Sequence, residues 1–186
     1  MPAHDHILDP TRTVLAVIDM QEAFRPVIAD FPEIARRIVI MVQAAALLNL
    51  PILVTEQSPQ KLGRTAPEIL TALPPDTNPI DKTAFSSCGA SSFVDALQTL
   101  HRPQVLLSGI ETHVCVNQTA HDLLTHGYQV HLLTDCVSSR SQINKETGLA
   151  KMKISGVIPS TTEMALFELM RDATHPQFRA IQKLIK

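Results

Sequence analysis

Short apolar segments alternate with longer amphipathic segments along most of this chain, and this alternation limits the folds that it can adopt. The apolar segments have strand character and lie at 14–19, 52–54, 105–107, 130–134 and 157–158. Strands that are separated by helices form right-handed β-α-β units, which assemble into a parallel sheet with helices on both faces. The sequence therefore predicts a three-layer α/β fold with a Rossmann-like, mainly parallel sheet.

The segments between the strands carry helix signals. Asp30-Phe-Pro-Glu is a plausible helix start, and apolar residues then recur every three or four positions as far as Leu48. Further helices are predicted at 91–100, 114–126, 142–152 and 162–171, and from Pro176 onward. The stretch 56–79 holds five prolines and little strand pattern, which predicts a long surface loop with one helical turn near 67–70.

Length and composition indicate one domain. A chain of 186 residues, 45% of them hydrophobic, can enclose one sizeable core but is short for two. We therefore expect a single domain over 1–186, in which the polar start, 1–12, forms a flexible N-terminal arm.

Charge and cysteine usage exclude several classes of protein. A net charge of −2 offers no basic patch for nucleic acid or a membrane surface. The start has no signal-peptide pattern, and no apolar stretch approaches the ~18 residues of a membrane span. Three cysteines without metal-ligand spacing indicate reduced thiols rather than a disulfide scaffold. These features predict a cytoplasmic protein without nucleic-acid or membrane partners.

Cys115 is the first candidate for chemistry. It follows the strand at 105–107 and falls in the first turn of the helix predicted at 114–126. Free backbone N–H groups and the helix dipole favour thiolate at such a position and can also hold an oxyanion. The sequence thus predicts a nucleophile with a lowered pKa, although a lone cysteine is often only a small buried apolar residue.

Two further segments carry candidate partners for this thiol. Asp19 ends the first strand, where open α/β sheets place their ligands, and Lys82 follows the long loop. Taken together, strand-end Asp-x-Gln, Lys-Thr-x-Phe and Gly-x-x-Thr-x-x-Cys-Val-x-x-Thr-Ala resemble the isochorismatase-like cysteine hydrolase family. The resemblance covers nearly the whole chain from about Val14, and it implies a catalytic triad of Asp19, Lys82 and Cys115.

The resemblance also implies a mechanism and a local geometry. Cys115 would attack an amide-like carbonyl, with Asp19 moving the proton and Lys82 stabilising negative charge. The backbone N–H groups of Glu111 and Cys115 would form the oxyanion hole. A cis peptide bond without proline would map to Ile110-Glu111. Family members commonly form dimers, tetramers or larger rings, so a homo-oligomer is expected.

No cofactor or metal is predicted. The chain lacks a G-x-G-x-x-G after its first strand, which disfavours a dinucleotide site. The metal-dependent nicotinamidase branch of the family has an Asp-x-His and a further His after the second strand. This chain reads Thr-Glu-Gln-Ser-Pro-Gln at 55–60 instead. That segment resembles the isochorismatase domain-containing branch, whose substrates are mostly unassigned.

Some residue roles and the reaction itself stay open at this point. The predicted pocket residues lie near the triad segments: Gln21, Phe24, Gln57, Phe85 and His113. Cys88 is the rival thiol, while Cys136 fits a core position. The leading prediction is hydrolysis of a C–N bond in a small-molecule substrate. The alternatives are an isochorismatase-type vinyl-ether hydrolase that uses Asp19 and Lys82, and a non-catalytic family member with a binding or assembly role.

Overall fold

The molecule is built on one six-stranded sheet. The computed structural model describes residue 4 and residues 6–186. Within them every neighbouring strand pair is parallel, in the order β3-β2-β1-β4-β5-β6. The strands are Thr13–Ile18 (β1), Ile52–Gln57 (β2), Ile80–Lys82 (β3), Gln104–Ile110 (β4), Gln129–Ser138 (β5) and Ile158–Ser160 (β6). The predicted mainly parallel sheet is confirmed.

Eight α-helices in the described residues cover the two faces of this sheet. They are Phe31–Leu47 (α1), Pro59–Leu62 (α2), Pro67–Ala72 (α3), Ser91–Leu100 (α4), Asn117–Thr125 (α5), Gln142–Ile154 (α6), Thr162–Met170 (α7) and Phe178–Ile185 (α8). One apolar core lies under α1, α3, α7 and α8, and a second lies under α4, α5 and α6. The central strands β1 and β4 are buried along their whole length because helices cover both sides.

The sequence located most elements and missed β3. The helix at 91–100 has the predicted bounds, and two short helices, α2 and α3, lie in the stretch that was expected to be mostly loop. β3 spans only Ile80–Lys82, and only its last residue is buried. A strand this short at the sheet edge has no repeat of polar and apolar positions by which it could be recognised.

The flexible arm predicted at 1–12 is not supported where the structure describes it. Leu8 is fully buried in the core, and its N–H donates to Glu168 Oε2 at 3.1 Å. The side-chain amide of Gln104 accepts from Asp9 N and donates to Ile7 O. Residues 7–9 therefore pack against the domain. Positions 1–3 and 5 lie outside the described residues.

The direction in which successive strands are added to the sheet reverses between β1 and β4. From β1 the chain proceeds outward through β2 and β3, and then returns to the other side of β1 to form β4, β5 and β6. Gly109, with a φ of 114°, permits the close approach at this point, because a Cβ there would lie 2.0 Å from Ile18 O. The carboxyl ends of β1 and β4 thus meet at the position where such sheets place ligands.

Within the described residues, no helix combines the length and apolar content that crossing a bilayer requires.

Candidate active site

Asp19 provides the carboxylate at the switch between β1 and β4. It follows β1 directly with a φ of 50°, and its side chain is almost completely buried. Its backbone N–H donates to Thr55 O at 3.1 Å, and the Thr55 hydroxyl donates to Asp19 Oδ1 at 2.7 Å. Thr55 of the neighbouring strand β2 therefore holds Asp19 through one bond to its backbone and one to its carboxylate.

Lys82 lies at the end of β3, two strands away from Asp19. Its Nζ donates to Asp19 Oδ2 at 2.6 Å and to Gln57 Oε1 at 2.7 Å. The carbonyl oxygens of Phe85 and Ala84 accept from the same nitrogen at 3.0 and 3.2 Å. Because an ammonium group has three hydrogens and this one has four oxygen acceptors, no N–H of Lys82 is left for a substrate.

Cys115 completes the group. It lies in a π-helical turn, Thr112–Val116, that runs directly into α5, and it is 8% exposed. Its thiol is close enough to Asp19 and Lys82 for the charges of both to act on its pKa. Wide helical turns of this kind are rare and occur frequently at functional sites.

The pKa of Cys115 differs from the sequence prediction. Burial raises the pKa of the Cys115 thiol to about 12, and the negative charge of Asp19 adds to that effect, while Lys82 opposes it. The predicted lowering was wrong because it considered the helix start and neglected desolvation and the adjacent carboxylate. Burial and the adjacent carboxylate therefore favour the protonated thiol over the thiolate in the resting site.

The other two thiols lie outside this group. Burial raises the pKa of Cys88 to about 11, and it packs against the core under α4 and α5. Burial also raises the pKa of Cys136, which lies 3.2 Å from Thr162 Oγ1. Cys115 is thus the cysteine that the fold places beside Asp19 and Lys82.

The turn before Cys115 is braced from β5 and α6. The Ile110-Glu111 peptide bond is cis, at the position that the resemblance implied. The Glu111 carboxylate accepts from the backbone N–H of Arg140 at 2.9 Å and from its Nε at 3.1 Å. Gly148 of α6 lies against this turn, since a Cβ there would be 3.1 Å from His113 Cα.

The predicted pocket residues take different places. Gln57 bonds directly to Lys82, and Phe85, 55% exposed, stands beside it at the surface. Gln21 is fully buried, and its amide bonds to Gln57 N, Gln57 O and Gly63 O, so it links the end of β2 to the residue that follows α2. Phe24 packs against the core under α1. His113 bonds through Nδ1 to Ser139 Oγ at 2.9 Å.

Sequence reasoning missed Thr55 and Arg140. Thr55 and Gln57 are two residues apart on β2, so they face the same side of the sheet. Because Gln57 was already a predicted pocket residue, the strand period could have pointed to Thr55. Arg140 has no comparable signal, because it meets Glu111 only after β5 is placed next to β4.

Two further features concern what the site can bind. A surface cavity of about 380 Å³ borders Lys82, between α2 and the start of α4. Among the described residues, no group of three or more His, Cys, Asp or Glu side chains is arranged to hold a metal ion.

Comparison with known proteins identifies the family. Residues 13–164 match the isochorismatase domain. The chain belongs to the isochorismatase domain family. Isochorismatase domain-containing protein 2A of Mus musculus is 45% identical over 178 residues, covering 95% of this chain and 84% of that protein. The secreted isochorismatase effector Isc1 of Phytophthora sojae is 43% identical over 184 residues, covering 96% of this chain and 87% of the effector.

Solved structures share this fold. MAR1 ribonuclease from Caenorhabditis elegans superposes with a TM-score of 0.92 at 40% identity, over 96% of this chain and 92% of that chain. YcaC of Escherichia coli, described as an octameric hydrolase of unknown specificity, has a TM-score of 0.86 at 20% identity, over 98% of this chain and 97% of that chain. The YcaC likeness concerns the fold alone.

Proposed function

We propose that this isochorismatase-family protein is a metal-independent cysteine hydrolase that cleaves a C–N bond of a small amide-like substrate through a thioester. The observation that carries the proposal is the buried Lys82–Asp19 ion pair, 2.6 Å between Nζ and Oδ2, with the Cys115 thiol beside it. A buried ion pair is costly to form and contributes little net stability, so its presence beside a thiol favours a chemical role.

The resting charges define the first step. Asp19 accepts the thiol proton while the sulfur attacks the substrate carbonyl carbon, so that a free thiolate need not accumulate. Lys82 keeps its positive charge in contact with Asp19 throughout. Since its N–H groups are already occupied, it acts as a fixed charge and not as a substrate ligand.

The carbonyl oxygen becomes an oxyanion, which the backbone N–H groups of Glu111 and Cys115 receive. The C–N bond then breaks as protonated Asp19 gives its proton to the leaving nitrogen, and a thioester to Cys115 remains. Water loses a proton to Asp19, attacks the thioester and releases the acid, and the proton returns to the sulfur. Each bond broken is matched by one formed, and no cofactor takes part.

The pocket, the partners and the location belong to the same proposal. Gln57, Phe85 and His113 line the approach to the thiol, with Gln21 and Phe24 in support. The protein acts on a small molecule in the cytoplasm and assembles as a homo-oligomer. The relative from Phytophthora sojae carries the description of a secreted protein.

Intact-mass spectrometry tests the reaction. The protein is exposed to a library of small primary amides and ureides, and a mass increase equal to the acyl half of one member is expected at Cys115. The adduct should be absent from Cys115→Ala and retained in Cys88→Ala, which is the matched control. Labelling that survives in Cys115→Ala would refute the nucleophile.

Two alternatives are tested in parallel. A vinyl-ether substrate that is hydrolysed equally by Cys115→Ala would support isochorismatase-type chemistry by Asp19 and Lys82. The name of the relative from Caenorhabditis elegans makes RNA the other substrate to include. RNA cleavage that depends on Cys115, without amide turnover, would replace the proposed substrate class. If amides, the vinyl ether and RNA all remain uncleaved and Cys115 is unreactive, a non-catalytic role would be favoured.

A further inference from the structure

Buried hydroxyl groups connect the proposed base to the helix of the proposed nucleophile. Thr55 is fully buried on β2, and its hydroxyl meets Asp19 Oδ1 at 2.7 Å. Ser87, also fully buried, lies 3.5 Å from Thr55 through its hydroxyl, at the limit for a hydrogen bond. The Ser87 backbone N–H donates to Thr119 Oγ1 on α5 at 2.9 Å.

Each member of this series lies on an element that carries part of the site. Ser87 follows the segment whose carbonyl oxygens bind Lys82, and Thr119 lies one helical turn after Cys115. Thr55 is therefore surrounded by the elements that carry all three members of the proposed triad.

The two carboxylate oxygens of Asp19 have different partners. Oδ2 meets the Lys82 ammonium and Oδ1 meets the Thr55 hydroxyl. Lys82 alone would fix one oxygen and leave the carboxylate free to rotate about its Cβ–Cγ bond, whereas a second donor fixes its plane. Lys82 and Cys115 are the charged or titratable groups that contact this carboxylate in the part of the chain that the structure describes.

We infer that Thr55 is a positioning residue for Asp19, whose hydroxyl holds the carboxylate in the orientation that meets both Lys82 and Cys115. The inference rests on the proposed role of Asp19 as the base. A hydroxyl suits this position because it donates to the ionised carboxylate and can accept from the protonated one by rotating. The contact between the hydroxyl and the Asp19 side chain thus persists in both proton states of the cycle.

The test compares three variants by a reaction that needs no substrate. Thr55→Val keeps the shape and removes the hydroxyl, Thr55→Ser keeps the hydroxyl, and Thr13→Val removes another fully buried strand hydroxyl, on β1 and bonded to Asp9 O and Gln104 Oε1. The probe is iodoacetamide, with labelling of Cys115 followed by peptide mapping between pH 6 and 9.

Thr55→Val should slow the alkylation of Cys115 by about 3- to 10-fold at every pH. Without the hydroxyl, the negative charge of Asp19 is less stabilised, and that charge already raises the pKa of Cys115. The expected slowing corresponds to a further rise of about half to one unit in the pKa of Cys115. Thr55→Ser should return to the wild-type rate, and Thr13→Val should not change it.

A second readout does not depend on the thiol. Hydrogen exchange of the Lys82 ammonium, followed by NMR, should be faster in Thr55→Val than in the wild type, and unchanged in Thr55→Ser and Thr13→Val. Wild-type behaviour of Thr55→Val in both readouts would overturn the inference. So would failure of Thr55→Ser to restore a folded protein to wild-type rates, or an equal slowing in Thr13→Val.

The outcome is separable from that of the proposed function. If no amide gives an acyl-enzyme but Thr55→Val still slows alkylation, the inference stands and the substrate class fails. If Thr55→Val forms an acyl-enzyme at the wild-type rate, the inference fails and the proposed function stands.

Discussion

Replacing Lys82 by methionine tests how much breaking the buried ion pair lowers the free energy of unfolding. The side chains of Lys82 and Asp19 are 0% and 1% exposed. Lys82→Met keeps much of the side-chain volume but leaves the Asp19 carboxylate buried beside an apolar chain. Of the side chains that the structure shows bonded to the Asp19 carboxylate, Thr55 then remains, with the Cys115 thiol nearby.

The expected loss of stability in Lys82→Met is large because the Asp19 charge remains buried without its partner. Breaking a buried pair by removing one partner costs about 3 to 5 kcal/mol. The carbonyl oxygens of Ala84 and Phe85 and the amide oxygen of Gln57 also lose their donor. A domain of this kind has roughly 5 to 15 kcal/mol of total stability, so the variant should remain folded but be much weakened.

Lys145→Met is the matched control. Lys145 pairs with Asp30 at 3.0 Å, but Asp30 is 43% exposed. Water stabilises the carboxylate that is left behind, so this substitution should cost about 1 kcal/mol or less. The pair of variants compares the same chemical change in a buried and in a partly exposed site.

Urea unfolding measures both free energies, and iodoacetamide labelling reports on the thiol. Lys82 lowers the pKa of Cys115 against the effects of burial and Asp19. Its loss should therefore raise that pKa further and slow the alkylation of Cys115 at pH 8. An equal stability loss in both variants, with unchanged alkylation in Lys82→Met, would refute the reasoning and make Lys82 an ordinary lysine.

Four further predictions follow from single features. Asp19→Asn keeps the shape but cannot move a proton, so single-turnover formation of the acyl-enzyme should slow by about 10² to 10⁴; near-wild-type turnover would remove Asp19 as the base. Gly109→Ala places a Cβ 2.0 Å from Ile18 O, and thermal unfolding should show a loss of more than about 3 kcal/mol, where a neutral result would contradict the packing. Burial lowers the pKa of His131 to about 4. Because the unfolded chain takes up that proton near pH 6.5, the free energy of unfolding should fall by up to about 3 kcal/mol between pH 6.5 and 4, and His131→Gln should remove this dependence. Chelation by EDTA should leave turnover unchanged; loss of activity that zinc restores would contradict metal independence.

The fold was predictable because its signals are local. Buried strands such as β1 and β4 are mostly apolar runs, and a helix such as α7 begins after a recognisable capping residue, Thr161. The exceptions were β3, which is too short to show a period, and the segment 7–9, whose buried Leu8 lies within a mostly polar N-terminal stretch. Both elements are stabilised by neighbours distant in sequence.

The candidate site divides in the same way. The proposed triad was predicted from the resemblance of three sequence motifs to a known family, because no local pattern distinguishes a lone lysine such as Lys82. The direction of the Cys115 pKa was predicted wrongly, because desolvation and the Asp19 charge depend on what surrounds the thiol. Thr55 was missed for a related reason, since its importance lies in a contact across two strands.

The amino-acid sequence by itself determined the parallel α/β architecture, the family and the residue types available for chemistry, because periodicity and motif spacing are properties of the chain. Only the tertiary structure decided which atoms meet. It gave the Lys82 ammonium four oxygen acceptors, placed the Thr55 hydroxyl on the second oxygen of Asp19, and raised the pKa of the Cys115 thiol. Burial and through-space charge set these properties, and neither exists until residues distant in sequence have been packed together.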